Sequence, residues 1–587
     1  MEVDKVSFYP LLLDILTDIS EAHFVTFDLE LSGVPTKQVR SGKDTGKPSL
    51  QERYLENKHA AERYQILQIG LTCVQQDIEN KKYILKPYNF ELSPIIAESR
   101  LDIERIFSFQ SGAAEFLLET GFNLAVPFER GVPYLSRDET QEAREKHLRR
   151  QDRSVIADIQ IKPTETESLA FLQRIHDEIN AWKNSRAFDA LDYVNISAVC
   201  LEDLKEDDNI PELSRFEKRL VHQLVRAEYP ELISIGKRSC VQVIPLDQER
   251  EKSVAEGRMR DNEKRIARQK GFRWIIEALR GSDITGIDLR ECARDMVTGE
   301  AIFADMDTYK AQFHRAANLM RGNPRILVGH NCFLDLVYIF RTFLGDLPDT
   351  VEEFQELLHH YWPTIIDTKY MSTHNCGDIS PVSALDQIAH QLSAQELPII
   401  EVDPEHKKYN TAESLHEAGY DSFLTAQIAV RLSSKLEQDG SYVDINASTP
   451  STNGTLVNGE LTPTMSSLQL TDDTIDFEVS DLQPLDEAPF VPSIEGEKWK
   501  RRGDPSLGPQ DPNDPFATDP RDRKHRHRDP EANRKGRVFE GGMPGWGSDF
   551  WRIYGNRLRV FGCEEAICVL DGSDAIVDDG EDGGVGL

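Results

Sequence analysis

The segment Phe24-Val25-Thr26-Phe27-Asp28-Leu29-Glu30-Leu31-Ser32-Gly33 sets two carboxylates inside a run that otherwise reads as a buried strand. Side chains alternate faces along a strand, so Asp28 and Glu30 share one face while Leu29 and Leu31 point to the other. Two like charges this close at the heart of a domain are costly unless something neutralises them, and a divalent cation with oxygen ligands is the usual remedy. An amphipathic strand with a solvated acidic face has the same spelling. The rest of the chain has to decide.

Two further segments place carboxylates where a metal site needs them. In Ile326-Leu327-Val328-Gly329-His330-Asn331-Cys332-Phe333-Leu334-Asp335 a short strand turns into a helix, with Asp335 near its start. Taken alone, a helix-start aspartate favoured by the dipole explains it. In Leu415-His416-Glu417-Ala418-Gly419-Tyr420-Asp421 a histidine precedes an aspartate by five positions, ahead of an apolar helix. A capping aspartate and a surface histidine would do as well. Together, and in this order, the three segments spell the pattern of the DEDD exonucleases of the ribonuclease H-like superfamily. Four such carboxylates can hold two Mg²⁺ ions about 4 Å apart. Histidine suits general-base work because imidazole titrates near neutrality. The sister subclass carries Tyr-x3-Asp, which would require tyrosine where this chain has Glu417, so the chain reads as the histidine subclass.

The resemblance goes further. Phe27-Asp28-Leu29-Glu30-Leu31-Ser32-Gly33, Arg63-Tyr64-Gln65, Gly131-Val132-Pro133-Tyr134-Leu135, Leu327-Val328-Gly329-His330-Asn331, Asp367-Thr368-Lys369 and His416-Glu417-Ala418-Gly419-Tyr420-Asp421 together resemble the poly(A)-specific ribonuclease (PARN) family, in a fungal-type form, over residues 1–436. The resemblance implies an α/β, ribonuclease H-like DEDD exonuclease fold: a mixed central sheet flanked by helices, with an inserted small α/β module and a disordered C-terminal tail. It implies a Mg²⁺-dependent 3′-exoribonuclease, using two ions, that shortens poly(A) at RNA 3′ ends and releases 5′-AMP, and it suggests a homodimer. By that match Asp28, Glu30, Asp335 and Asp421 are the metal ligands and His416 is the base. Lys369 is then a contact to the 3′-terminal nucleotide, unless it is an ordinary surface lysine. A DEDD exonuclease trimming non-coding RNA 3′ ends is a rival within enzymes. An inactive RNA-binding scaffold is a rival outside them, but its signature would be a lost ligand, and all five positions stand.

The chain has 587 residues, too many for one core. We read residues 1–165 and 247–440 as two parts of a nuclease domain interrupted by a module at 166–246. Residues 441–535 then form a disordered acidic and basic linker, and 536–587 a short aromatic-basic segment with an acidic tail. The family's module is named for an Arg-x-x-x-His motif. Here His222 follows Lys218 by four and Arg219 by three, so Lys218, Arg219, His222 and Arg226 either bind RNA or only pack. No RNP-like aromatic strand stands between 439 and 530.

A net charge of −33 would argue against a nucleic-acid partner, but its distribution weakens the objection. Residues 441–497 hold eleven acidic residues and 564–587 eight, both without lysine or arginine. Any anion must therefore meet a local basic groove and bound metal. No apolar run reaches the roughly 18 residues of a membrane span. The acidic start Met1-Glu2-Val3-Asp4 is no secretory signal. The expected location is nucleus and cytoplasm, without a membrane partner. Eight scattered cysteines lack metal spacing and read as buried thiols.

Along the chain, the pattern predicts strands at 22–33, 65–74, 82–87, 239–244, 325–328 and 364–366. It predicts helices near 111–120, 138–150, 167–182, 215–228, 248–279 and 333–343, and from 411 to 436. Residues 34–62 read as a polar surface loop, and 204–208 as an acidic loop. The run Arg523-Lys524-His525-Arg526-His527-Arg528 is a nuclear-localisation signal, a phosphate-binding run or a neutral basic patch. Trp546, Phe550, Trp551 and Tyr554, interleaved with Arg552, Arg557 and Arg559, either stack on bases or a cap guanine, or dock as a strand on the nuclease.

Overall fold

The computed structural model describes residues 1–36, 47–151, 159–184, 193–199, 212–374, 379–380, 383–410, 414–440 and 538–572. The linker read as disordered at 441–535, the acidic loop at 204–208 and the basic run at 523–528 fall wholly outside these residues.

The main sheet is built around β1 (Glu2–Val3), β2 (Phe24–Leu31), β3 (Ile66–Asp77) and β4 (Lys82–Ser93), with β5 (Val132–Pro133) at the far end of β4. A separate antiparallel sheet comprises β6 (Val194–Ile196), β7 (Leu232–Gly236) and β8 (Val241–Pro245), in the order β6-β8-β7. The main sheet is completed by β9 (Leu327–Gly329), β10 (Ile365–Asp367) and β11 (Ile399–Val402). Its order is β1-β4-β3-β2-β9-β10, with β11 also on β4. β2 and β4 each run antiparallel to β3 between them, while β9 joins β2, and β10 joins β9, in parallel. This is the mixed α/β sheet the sequence led us to expect.

Alternation along β2 divides the core as its spelling requires. Val25, Phe27, Leu29 and Leu31 enter one apolar cluster with the helix Phe8–Glu21. Phe24 enters the other, beneath the long helix Ala418–Gln438. Asp28 and Glu30 share Phe24's face.

Four local readings need correction. Residues 50–63, taken as part of a loop, form the helix Leu50–Arg63. Ser49 and Glu52 make a reciprocal capping box there, and Tyr54, Asn57, Ala60 and Ala61 make its buried stripe. The stripe is narrow and the surface polar, which hid the helix; residues 37–46 lie outside the described ones. The charged helix at 248–279 breaks into Gln248–Lys270 and Arg273–Leu279. The break is at Gly271, whose φ is 47° and where a Cβ would lie 1.8 Å from the Pro133 carbonyl oxygen. The last nuclease helix starts at Ala418 rather than 411. His416 just before it sits in a left-handed turn at φ 62°. The strand predicted at 82–87 extends to Ser93.

The inserted residues carry two helices, Thr166–Asn184 and Arg215–Glu228, against the β6-β8-β7 sheet. They share a core of their own that includes Ile175, Ile179, Trp182, Val221 and Val243.

The aromatic C-terminal segment is part of the nuclease unit. It forms the short helix Phe550–Tyr554 and the hairpin β12 (Arg557–Arg559) and β13 (Ile567–Val569). Phe550 and Tyr554 are fully buried and Trp551 is 7% exposed, all within the cluster under the long helix. Trp546 is wedged between Trp551 and His23, with ring centroids 4.5 and 5.2 Å away. These rings dock on the nuclease and are not free to stack on bases, and the docking element is a helix and hairpin rather than a single strand.

Candidate active site

Three of the sequence-nominated carboxylates converge. Donor oxygens of Asp28, Glu30 and Asp421 all lie within 4.8 Å of one another. Glu30 is 8% exposed, and Asp28 and Asp421 are half-buried. Asp28 and Glu30 come from the even-numbered face of β2, and Asp421 from the first turn of the helix Ala418–Gln438.

A buried polar seam brings that helix down on the strand at this point. Thr26 Oγ1 donates to the Ser422 carbonyl at 2.7 Å, and Thr72 Oγ1 lies 3.0 Å from Ser422 Oγ. The Ala418 and Gly419 amides donate to Gln68 Oε1 at 2.9 Å and Asn89 Oδ1 at 3.1 Å. Gly70 pairs with Asp28 across β2 and β3, and a Cβ there would stand 1.8 Å from the Ala418 carbonyl oxygen. The helix therefore approaches so closely only because residue 70 lacks a side chain.

Asp335 occupies the first turn of Phe333–Ile339, directly after β9. It stands outside the triplet, but its charge reaches both Asp28 and Glu30. Burial pushes Asp28 well above the carboxylate range, and Asp421, Asp335 and Glu30 push it further. Glu30 rises in the same way, through burial and then Asp421 and Asp335. Burial raises Asp335 and Asp421 to about 7 each. Carboxylates so crowded either hold protons or hold a cation. An all-oxygen donor set of this kind fits a hard divalent ion.

His416 is exposed, next to the cluster in sequence, and its backbone bonds the Asp421 carboxylate. The Phe116 ring meets the imidazole edge-on, with centroids 4.8 Å apart. Phe116 was not singled out from the sequence: it belongs to a helix distant in the chain, and nothing in its spacing marks it.

Lys369 is not where an ordinary surface lysine would be. It is 7% exposed, its ammonium donates to the Ser383 carbonyl at 2.6 Å, and it lies 5.6 Å from the centre of the Phe561 ring. Among the described residues it bonds none of the four carboxylates. The module residues Lys218, Arg219, His222 and Arg226 line a separate cavity of about 1110 Å³ together with Arg215 and Arg258. There Lys218 donates to the Arg238 carbonyl, and His222 Nδ1 lies 2.7 Å from Ser234 Oγ. Among the described residues no helix is long and apolar enough to cross a membrane.

A family model described as CAF1 family ribonuclease matches residues 3–429. The chain is 24% identical over 448 residues to the poly(A)-specific ribonuclease PARN of Xenopus laevis, an alignment covering 74% of this chain and 63% of that protein. It is 25% identical over 479 residues to the uncharacterized protein C29A10.09c of Schizosaccharomyces pombe, covering 76% of this chain and 99% of that one. Among solved structures, S. pombe Pop2p in its Mg²⁺- and Mn²⁺-bound form is 11% identical, with 76% of this chain and 94% of that chain covered and a TM-score of 0.31.

Proposed function

The chain belongs to the CAF1 ribonuclease family, and from that membership we propose that it is a divalent-metal-dependent 3′-to-5′ exoribonuclease that removes poly(A) from RNA and releases 5′-AMP. The observation that carries the proposal is the convergence of Asp28, Glu30 and Asp421 within 4.8 Å, with Asp335 acting on the same charges.

Asp28, Glu30, Asp335 and Asp421 would hold the metal, Mg²⁺ in our reading and two ions by count. When bound, such ions neutralise the phosphodiester and lower the pKa of water. His416, exposed and joined to the Asp421 carboxylate through its backbone, accepts the proton of the attacking water, with Phe116 edge-on to its ring. Its left-handed backbone, φ 62°, lies just ahead of the helix Ala418–Gln438 that carries Asp421. The RNA 3′ end is the substrate, a homodimer the assembly, and nucleus and cytoplasm the location.

The test uses the purified protein with Mg²⁺ and 5′-labelled RNAs ending in oligo(A) or oligo(U). Stepwise shortening of the A-tailed RNA with release of 5′-AMP is expected, and Asp28→Ala abolishes it while leaving the fold intact. Equal shortening of both RNAs would replace the deadenylase by a general 3′-trimming nuclease. Activity that survives EDTA or Asp28→Ala would overturn the metal-dependent reading altogether.

A further inference from the structure

Asp367, at the edge of the main sheet, is a fully buried acid that the proposed chemistry leaves unused. Among the described residues its carboxylate forms no ion pair; it is held by the backbone. Oδ1 accepts from the amides of Asn331 at 2.8 Å and Lys369 at 2.9 Å, and Oδ2 accepts from the Arg559 amide at 2.8 Å. Burial pushes the group up to about 6, and these amides pull against that rise. One side chain thus ties together three stretches of chain that are far apart in sequence.

Each stretch has its own consequence. Asn331, with φ 56°, is the left-handed corner of the turn between β9 and the helix that carries Asp335. Thr368, next to Asp367, holds the same turn through the Gly329 carbonyl at 3.0 Å and His330 Nδ1 at 2.9 Å. Arg559 belongs to β12 of the C-terminal segment. That segment covers the open edge of β10: Gly555 bridges Ile366, the Asn556 amide donates to the Ile365 carbonyl at 2.8 Å, and Asn556 Oδ1 accepts from the Ile365 amide at 2.9 Å. It is anchored elsewhere by Gln355 on the Val569 carbonyl at 2.8 Å and by the Met543 amide on the Tyr83 hydroxyl at 3.0 Å. Leu558, Cys568 and Leu570 complete the core on the Asp335 side.

The backbone of residue 331 is four residues from Asp335, in a left-handed conformation that asparagine tolerates better than other non-glycine residues and that its surroundings hold in place. Asp367 supplies the holding contact, and the C-terminal segment supplies the third donor that fixes Asp367. We propose that Asp367 is a positioning residue for the metal-ligating Asp335, and that residues 538–572 act as an intramolecular activator of the nuclease by completing the Asp367 knot. The proposal rests on the exonuclease reading above, since it concerns the same site.

Asp367→Asn in the full chain is the direct test. The amide keeps the size of the side chain but turns one acceptor into a donor, so it cannot serve all three amides. Loss of a partner that orients a metal ligand typically costs about 10–100-fold in metal affinity or activity. We expect a fall of at least roughly tenfold in both kcat and Mn²⁺ affinity, the latter read by paramagnetic resonance without substrate, with KM for RNA held within about twofold. Both quantities within about twofold of the parent protein would overturn the positioning role.

A second experiment does not depend on that variant folding. A protease site is placed within residues 441–537 of the full chain, the protein is cut, and the fragments are separated by size and assayed. Loss of the fragment with a fall in activity that the added fragment restores supports the activator role; a fragment that stays bound is stripped in mild denaturant and the nuclease is assayed after dilution, with and without it. Loss of the fragment with activity unchanged refutes it. A parent protein inactive on every RNA would instead remove the exonuclease reading, so the two failures are distinguishable.

Discussion

Replacing Asp28 with asparagine should stabilise the metal-free protein and abolish its metal response. Asp28 faces Glu30 and Asp421 with donor oxygens no more than 4.8 Å apart. Two unit charges at that distance repel by about 3 kcal/mol at an effective dielectric near 20. The cluster escapes part of this by holding protons: Asp28 and Glu30 are driven far above their usual range, and Asp335 and Asp421 to about 7. What remains after protonation is about 1–3 kcal/mol of strain that Asp28→Asn relieves. In EDTA near pH 7.5 the variant should therefore melt a few degrees above the parent protein. Saturating Mg²⁺ reverses the order, because a ligand at one hundred times its Kd stabilises the protein that binds it by about 2.7 kcal/mol.

The same groups set a pH signature. Their folded pKa values exceed the unfolded ones, so the folded state binds more protons and stability falls as pH rises from about 4 through about 7 in EDTA. Asp28→Asn should flatten that fall. Calorimetric melting with and without Mg²⁺ reads all of this. A variant less stable than the parent in EDTA, or stabilised equally by Mg²⁺, would refute the reasoning.

Three further outcomes are expected. His416→Ala should lower kcat by about 10²–10⁴-fold while leaving RNA binding in place, as single-turnover kinetics and a filter-binding assay would show together. Gly70→Ala should lose both soluble yield and activity, since its Cβ would lie 1.8 Å from the Ala418 carbonyl and displace the helix bearing Asp421; a variant with parental melting and rate would contradict the close-approach argument. Tyr554→Ala, at a fully buried position in the C-terminal segment, should cost about 3–5 kcal/mol in denaturant unfolding and open the segment to protease.

The sheet and its candidate ligands were legible because their signals are local. Alternation on Phe24–Leu31 assigns Asp28 and Glu30 to one face without any knowledge of neighbours, and the structure places a helix over that face. The helix Leu50–Arg63 was missed because its buried stripe is thin and its partner, Pro348, which accepts from the Tyr54 hydroxyl at 2.8 Å, lies far along the chain. The start of the last helix was missed because a left-handed residue at His416 carries no marker in side-chain type. Asp367 drew attention only as part of a motif. Its three amide partners come from segments more than 190 residues apart at the extreme, a relation that no window of sequence contains. The docking of Phe550 and Tyr554 was one of two readings, since an aromatic-basic spelling serves a core and a base-stacking platform alike.

The four candidate ligands are not equivalent, and their elements explain the difference. Asp335 and Asp421 sit in first turns of helices, where the dipole and free amides favour a negative charge. Each has a backbone bond that lowers its pKa, from its own amide in Asp335 and from His416 in Asp421. Asp28 and Glu30 stand on a strand whose amides are committed to β3 and β9, and among their causes of shift no backbone bond relieves them. The helix pair carries charge at a lower cost than the strand pair, which depends more heavily on a cation. Neutralising the strand pair, Asp28→Asn or Glu30→Gln, should therefore raise metal-free stability more than Asp335→Asn or Asp421→Asn. A helix-borne ligand whose neutralisation stabilised the protein as much as a strand-borne one would show that the fields of the helix ends do not reach the cage.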